Sequence, residues 1–235
     1  MTTKEVLHQL KTMGNETTVR TLVKHGAKQP CLGVKIEDMK KLLKPLKGKQ
    51  DVALELYASG IFDAMYLAGL VADGAKMKCA ELDAWAQLNY GSSISSYTVP
   101  WVASESPDGF ELALEWIDSE KEFVAVAGWA TLSAIVTITP DAKLDIEKLQ
   151  ELLNRVLAQL HKAPNKVRLA MNSFVIAAGS YVLPLTQVAI DTARKLGPIK
   201  VDMNGTSCKV PSADEYIAKV AARGSLGKKR KTVKC

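Results

Sequence analysis

The chain has 235 residues, of which 47% are hydrophobic and 6% aromatic, and its formal net charge at pH 7 is +6. This length and apolar content suffice for one folded domain with a sizeable core, and they exclude a chain that is disordered throughout. No apolar run approaches the ~18 residues of a membrane span, and the polar start is unlike a signal peptide. We therefore expect a cytoplasmic protein that does not enter a membrane.

The residues that commonly bind metals or cofactors are scattered. The four cysteines form no CxxC pair and the three histidines are isolated from one another, so the sequence predicts neither a disulfide framework nor a metal site. Phosphate-binding glycine loops, the HExxH zinc motif and the GxSxG nucleophile motif are also absent from the sequence. We expect no cofactor and no nucleotide-dependent mechanism.

Apolar residues recur at helical intervals along almost the whole chain. This periodicity predicts helices, several of which begin near Pro or Asp, over residues 34–48, 61–72, 107–117, 121–136, 145–160, 164–178 and 184–196. No segment alternates as a strand does. Residues 197–211 are the one extended exception, and the pair Asn204 and Gly205 predicts a tight turn there, in either a short hairpin or an ordered loop.

Many helices without a sheet leave two architectures, a globular bundle or an α-solenoid of stacked helical pairs. The pairs recur about every 30–45 residues, which favours the solenoid. We expect residues 1–223 to form a single domain of this kind. Alternate helices of such a stack line a concave face, where a long ligand would lie.

Charge is strongly segregated along the chain. Residues 1–49 carry a net charge of +7, residues 50–151 carry −12, and residues 152–235 carry +11. Basic ends that lined a common groove would attract phosphates, although lysine-rich helix faces are also common without any such role. Residues 224–235 hold five basic side chains, no acid and little apolar surface, so we expect a flexible tail.

The densest aromatic segment covers residues 81–104 and contains two tryptophans and two tyrosines. Trp85 and Asn89 are four residues apart, so on a helix they share one face. That face is a candidate site. The alternative is that Trp85 and Trp101 are ordinary core residues, since large aromatic side chains usually bury their area.

Four phrases in this order resemble the DNA alkylation repair family of HEAT-repeat alkylpurine DNA glycosylases: LGVKIEDMKKLLK, DAWAQLNYGSSISSYTVPW, WIDSEKEFVAVAGWATL and HKAPNKVRLAMNSFVIA. The resemblance extends over nearly the whole chain. It implies an all-α fold, a right-handed solenoid of HEAT-like repeats whose concave basic face binds duplex DNA. It also implies excision of cationic N3- or N7-alkylated purines without extrusion of the base into a pocket.

In active members, the resemblance implies, an aromatic residue and a carboxylate one helical turn later face the sugar of the lesion. These catalytic positions match Trp85 and Asn89, while an arginine position falls near Val126 and a second tryptophan position near Phe174. An amide carries no negative charge, so Asn89 would stabilise a cationic transition state by ~2–4 kcal/mol less than a carboxylate. Asp83, two residues before Trp85, would face another direction and is a poor substitute.

These differences from the residues of active members leave three functions open: a slow glycosylase, a non-catalytic binder of damaged, bent or branched DNA, and a protein-binding scaffold. The acidic middle of the chain favours the scaffold. For the first two functions we expect a monomer whose partner is duplex DNA, alkylated or structurally distorted. The expected DNA-binding residues are Lys40, Lys41, Lys44, Tyr97, Trp101, Lys166, Arg168 and Phe174.

Overall fold

The computed structural model describes residues 1–88, residue 91 and residues 93–235. In this part of the chain the regular structure is helical, with an isolated bridge between Ala27 and Gly91 and a π-helical turn at Ile94–Thr98. The α-helices are α1 (Thr3–Met13), α2 (Glu16–Lys24), α3 (Ile36–Lys40), α4 (Leu43–Leu46), α5 (Gln50–Ala58), α6 (Phe62–Val71), α7 (Cys79–Gln87), α8 (Val99–Ala103), α9 (Gly109–Trp116), α10 (Glu122–Ile138), α11 (Ile146–Gln159), α12 (Asn165–Tyr181), α13 (Thr186–Leu196) and α14 (Ala213–Ala222).

The helix predicted over residues 34–48 forms two short helices, α3 and α4. Leu42 N–H donates to Met39 O over three residues, which tightens the chain at the end of α3. Pro45 lies inside α4 and has no N–H to donate to the preceding turn. A continuous helix would therefore lose a hydrogen bond at this point, and the chain turns instead.

The chain divides into two compact units, one comprising Met1–Leu112 with Lys234–Cys235 and the other Ala113–Val233. In the first unit, α5 and α6 pack together, and the fully buried Asp63 of α6 organises the chain before them. Its carboxylate accepts hydrogen bonds from Leu32 N at 2.5 Å and Val34 N at 2.7 Å. This ties residues 31–34 to α6. The single-domain boundary at residue 223 stays a prediction.

In the second unit, α10 and α12 pack most extensively against each other. The rings of Trp129 and Phe174, both fully buried, meet with their centroids 5.4 Å apart. The amphipathic α11 begins after Asp145, whose side chain accepts from Lys148 N at 2.9 Å. Its buried face is spaced as the sequence predicts, at Leu149, Leu152, Leu153 and Val156.

Residues 197–211 form a loop without strand pairing. Asn204 and Gly205 have φ values of 54° and 66°, and Thr206 N donates to Met203 O at 3.1 Å. Positive φ at both central residues is the pattern of a type I′ turn. The predicted tight turn is present, and of the two alternatives the loop is the one observed.

The tail, residues 224–235, differs from the flexible arm that its composition predicts. Within the second unit, Lys229 Nζ donates to Val136 O and pairs with Asp141 Oδ1, both at 2.8 Å. Within the first unit, Lys234 Nζ donates to Ala72 O at 2.6 Å and pairs with Glu105 Oε2 at 2.8 Å. These lysine ammonium groups anchor a tail whose composition offers little apolar surface to bury.

Among the described residues, no single helix is both long and apolar enough to cross a membrane. Residues 165–181 and 183–196 satisfy that criterion only as a pair, and they are bent by 118° where they meet.

Candidate nucleic-acid interface

Trp85 lies in the core of the first unit. Its side chain is 4% exposed and stacks on Tyr57 with the ring centroids 3.8 Å apart and the planes 4° from parallel. Tyr57 Oη also donates to Trp85 O at 2.6 Å. This packing agrees with the alternative that Trp85 is an ordinary core residue, and it leaves little ring surface for a DNA base. Asn89, the matching catalytic position, lies outside the described residues.

Phe174 and Val126 are core residues of the second unit, 0% and 2% exposed. The expectation that Phe174 contacts DNA does not agree with the structure, because its ring packs on Trp129 inside the helical layer. The apolar spacing of α12 places Phe174 on the buried face. A ring on that face is closed to a lesion.

Tyr97 is the accessible aromatic residue of the predicted set, with 53% of its surface exposed. It lies on the π-helical turn, where Val99 N donates to Ile94 O, and such turns are frequent at functional sites. Its ring centroid is 6.0 Å from that of Trp101, which is 5% exposed and meets Tyr66 edge-on. Trp101 therefore supports Tyr97 from the core, and Tyr97 presents its ring to solvent.

Lys40, Lys41 and Lys44 are exposed at α3 and α4 of the first unit, as the sequence predicts for phosphate contacts. Lys41 Nζ lies 2.6 Å from Asp38 Oδ1, and this hydrogen bond raises the pKa of Lys41. Asp38 therefore competes with a phosphate for the ammonium group of Lys41. Lys40 and Lys44 are the more available phosphate ligands.

Lys166 and Arg168 lie in the first turns of α12, where the loop of residues 197–211 docks. Asn165 Nδ2 donates to Asp202 O at 2.9 Å, and Asp202 N donates to Asn165 Oδ1 at 2.8 Å. Lys166 Nζ also donates to Asp202 O at 3.3 Å. This reciprocal pair holds the loop against the basic start of the helix.

A cavity of about 530 Å³ lies between the loop and α12, and we call it the basic loop cavity. It is lined by Arg168, Lys200 and Lys209, with Asp202 as the acidic lining residue. Buried Nε of Arg168 has no hydrogen-bond partner among the described residues. Three cations with one acid around a concave surface suit an anion.

Lys200 and Lys209 are not predicted from the sequence, because neither belongs to a helical pattern or a dense basic cluster. Their signal is their position in the extended segment, one on each side of the turn at Asn204 and Gly205. Of the predicted residues, the second unit brings together Lys166 and Arg168, and the first brings together Tyr97 and Trp101.

Comparisons with known proteins agree with this architecture. Proteins of unassigned function from Listeria innocua and Listeria monocytogenes are 29% and 27% identical to the chain over alignments of 227 residues. Each alignment covers 92% of this chain and 95% of the relative. A solved structure matches with a TM-score of 0.92 and 33% identity over 100% of both chains. It represents a family described as related to the HEAT-like repeat DNA glycosylases with affinity for branched DNA structures.

The predicted all-α fold of HEAT-like repeats is thereby confirmed. The family model described as DNA alkylation repair enzyme matches residues 6–209, which is most of the chain. The chain therefore belongs to the DNA alkylation repair enzyme family.

Proposed function

We propose that the protein binds DNA, prefers branched DNA to linear duplex, and does not excise alkylated purines. The similar solved protein belongs to a family described as having affinity for branched DNA, which supports the choice of ligand. The observation that carries the last part of the proposal, the lack of excision, is the burial of Trp85 and Phe174. Aromatic faces attract a cationic purine only where the purine can reach them, and both rings are enclosed by core residues.

The accessible residues suit binding without chemistry. Lys166, Arg168, Lys200 and Lys209 provide cations for phosphates, which fix the position of DNA but do not read its sequence. Tyr97 adds an exposed ring on which an unstacked base can stack. Branched DNA offers both features, since strands diverge and bases at the junction are less firmly stacked.

The test compares a four-way junction with a linear duplex of the same base composition. We expect tighter binding of the junction by fluorescence anisotropy, with Tyr97→Ala lowering junction affinity about 5-fold or more, as loss of one stacked base does. Tyr216→Ala is the matched control, because Tyr216 is a similarly exposed tyrosine, 48% exposed, outside the proposed interface. Equal affinity for both DNAs would contradict the preference, and no affinity for either would favour the protein-binding scaffold.

Membership of the DNA alkylation repair enzyme family favours a second candidate, an alkylpurine DNA glycosylase. Incubation with DNA containing N7-methylguanine, followed by mass spectrometry of the released base, separates the two functions. The proposal expects no release above the rate in protein-free DNA. Release that Trp85→Ala abolishes, in a variant that remains folded, would establish the enzyme.

A further inference from the structure

A second cavity, of about 440 Å³, lies in the second unit where α10, α11 and α12 meet, and we call it the α11–α12 cavity. Its lining includes apolar surface from Ala125, Val167 and Met171, each less than 5% exposed. Its polar lining includes Glu122, Arg155 and Lys162. The combination of an apolar wall and a few fixed polar groups is typical of sites for organic ligands of this size.

Arg155 is held in place by its neighbours. Its Nη2 donates to Asp118 Oδ1 at 2.5 Å and to Ile117 O at 3.3 Å, while its Nε donates to Gln159 Oε1 at 3.1 Å. The guanidinium carbon lies 5.8 Å from the centroid of the buried Trp129 ring. A planar guanidinium fixed in this way provides a surface on which a nucleobase stacks at little entropic cost.

The charges around the cavity disfavour a bare phosphate as the occupant. Asp118 pairs with Arg155, and the Glu122 carboxylate adds negative charge to the lining, with Oε1 accepting from Lys166 N at 2.7 Å. A neutral base with a hydrogen-bonding edge suits this lining better than an anion does. Lys162 is exposed, and no acidic residue occurs between Leu152 and Ile190. The Lys162 ammonium group can therefore bind the phosphate attached to such a base.

We propose that the α11–α12 cavity receives an unpaired nucleobase from the branch point of a DNA junction, with Lys162 contacting its phosphate. The inference rests on the proposed function, because a base at a branch leaves the stack at a lower cost in free energy than a base inside a duplex does. It extends that function by naming the feature of the branch that is recognised. Neither Trp85 nor Phe174, the aromatic positions implied by the family resemblance, lines this cavity.

The experiment uses two three-way junctions of the same sequence, one with an unpaired adenine at the branch and one with an abasic residue there. Native protein is expected to bind the adenine junction about 5-fold or more tightly, as loss of one stacked base predicts. Ala158→Phe places a ring in the cavity from an exposed position on α11 and is expected to abolish this difference. Asn154→Phe, exposed on the same helix outside the lining, is expected to retain it.

Circular dichroism of both variants is to test that they fold before binding is measured. If native protein prefers both junctions to linear duplex but does not distinguish adenine from the abasic residue, the cavity proposal fails while the proposed function stands. Full discrimination by Ala158→Phe would overturn the cavity proposal in the same way. Absence of any preference for junctions would overturn the proposed function and, with it, this inference.

Discussion

At the scale of single residues, Asp63 shows how one buried carboxylate organises a segment without regular structure. Its two oxygens accept from Leu32 N and Val34 N, so the chain before α3 is held by charge-assisted hydrogen bonds. Periodicity places Asp63 on a helix but does not identify these partners, which lie about thirty residues earlier in the chain, 29 and 31 positions away.

Asp63→Ala is expected to destabilise the protein by about 2–4 kcal/mol, because two backbone N–H groups lose their acceptor. Asp63→Asn retains one acceptor without the charge and should fall between the native protein and Asp63→Ala. Thermal unfolding followed by circular dichroism measures the order. A melting temperature for Asp63→Ala within ~1 °C of the native value would contradict the stabilising role of these hydrogen bonds.

Cys31 is a buried thiol beside the same carboxylate. Burial, and secondarily the charge of Asp63, raise the pKa of Cys31 from 9.0 to about 11. At pH 8 this shift lowers the thiolate fraction about a hundredfold, and the thiolate is the reactive form. We therefore expect iodoacetamide to modify the exposed Cys208 long before Cys31.

Peptide mass spectrometry of partially modified protein gives the two rates directly. The same reaction in urea is the control, since unfolding removes both burial and the neighbouring charge and should make the rates similar. Comparable rates in the folded protein would contradict the burial of Cys31.

At the scale of elements, the tail uses two lysines as helix C-terminal caps. Lys229 Nζ reaches Val136 O near the end of α10, and Lys234 Nζ reaches Ala72 O just after α6. The last carbonyls of a helix lack intrahelical partners and carry partial negative charge, which ammonium groups offset. Each lysine also pairs with an acid, and the four side chains are 16–28% exposed.

Lys229→Met is expected to lower the melting temperature by several degrees, because Asp141 and Val136 O lose the ammonium group that contacts them. The expected decrease in the free energy of unfolding is about 1–3 kcal/mol. Lys228→Met removes the same charge from the exposed neighbouring residue and is the matched control. Differential scanning calorimetry of both variants decides the point. Equal melting temperatures would show that the contacts of Lys229 contribute no stability.

At the scale of the whole molecule, the charge distribution determines how DNA binding depends on salt. The net charge of +6 arises from strongly basic and strongly acidic segments, so local cations rather than the average charge meet the phosphates. Lys166 and Arg168 lie together in the second unit near the basic loop cavity. They are the cations whose neutralisation tests this idea most directly.

Lys166→Gln with Arg168→Gln is expected to weaken binding of all DNAs and to reduce the slope of log K against log salt concentration by about 2, close to one for each phosphate that is no longer neutralised. Lys4→Gln with Lys11→Gln changes the net charge equally on exposed positions of α1. Affinities at several salt concentrations provide the slopes. An equal reduction in both double variants would mean that net charge, not this surface, determines binding.

The sequence alone determined the helical class, most helix positions, the turn at Asn204 and the two basic ends, because periodicity and turn chemistry are local properties. Of the candidate site, it identified Tyr97, Lys166 and Arg168 as residues that are at least partly accessible. It did not determine that Trp85 stacks on Tyr57 and Phe174 on Trp129, since an apolar spacing marks a buried face without naming its partner. The anchored tail also depended on tertiary structure, because Lys229 and Lys234 bond to carbonyls 93 and 162 residues away, and no local pattern encodes such distant partners.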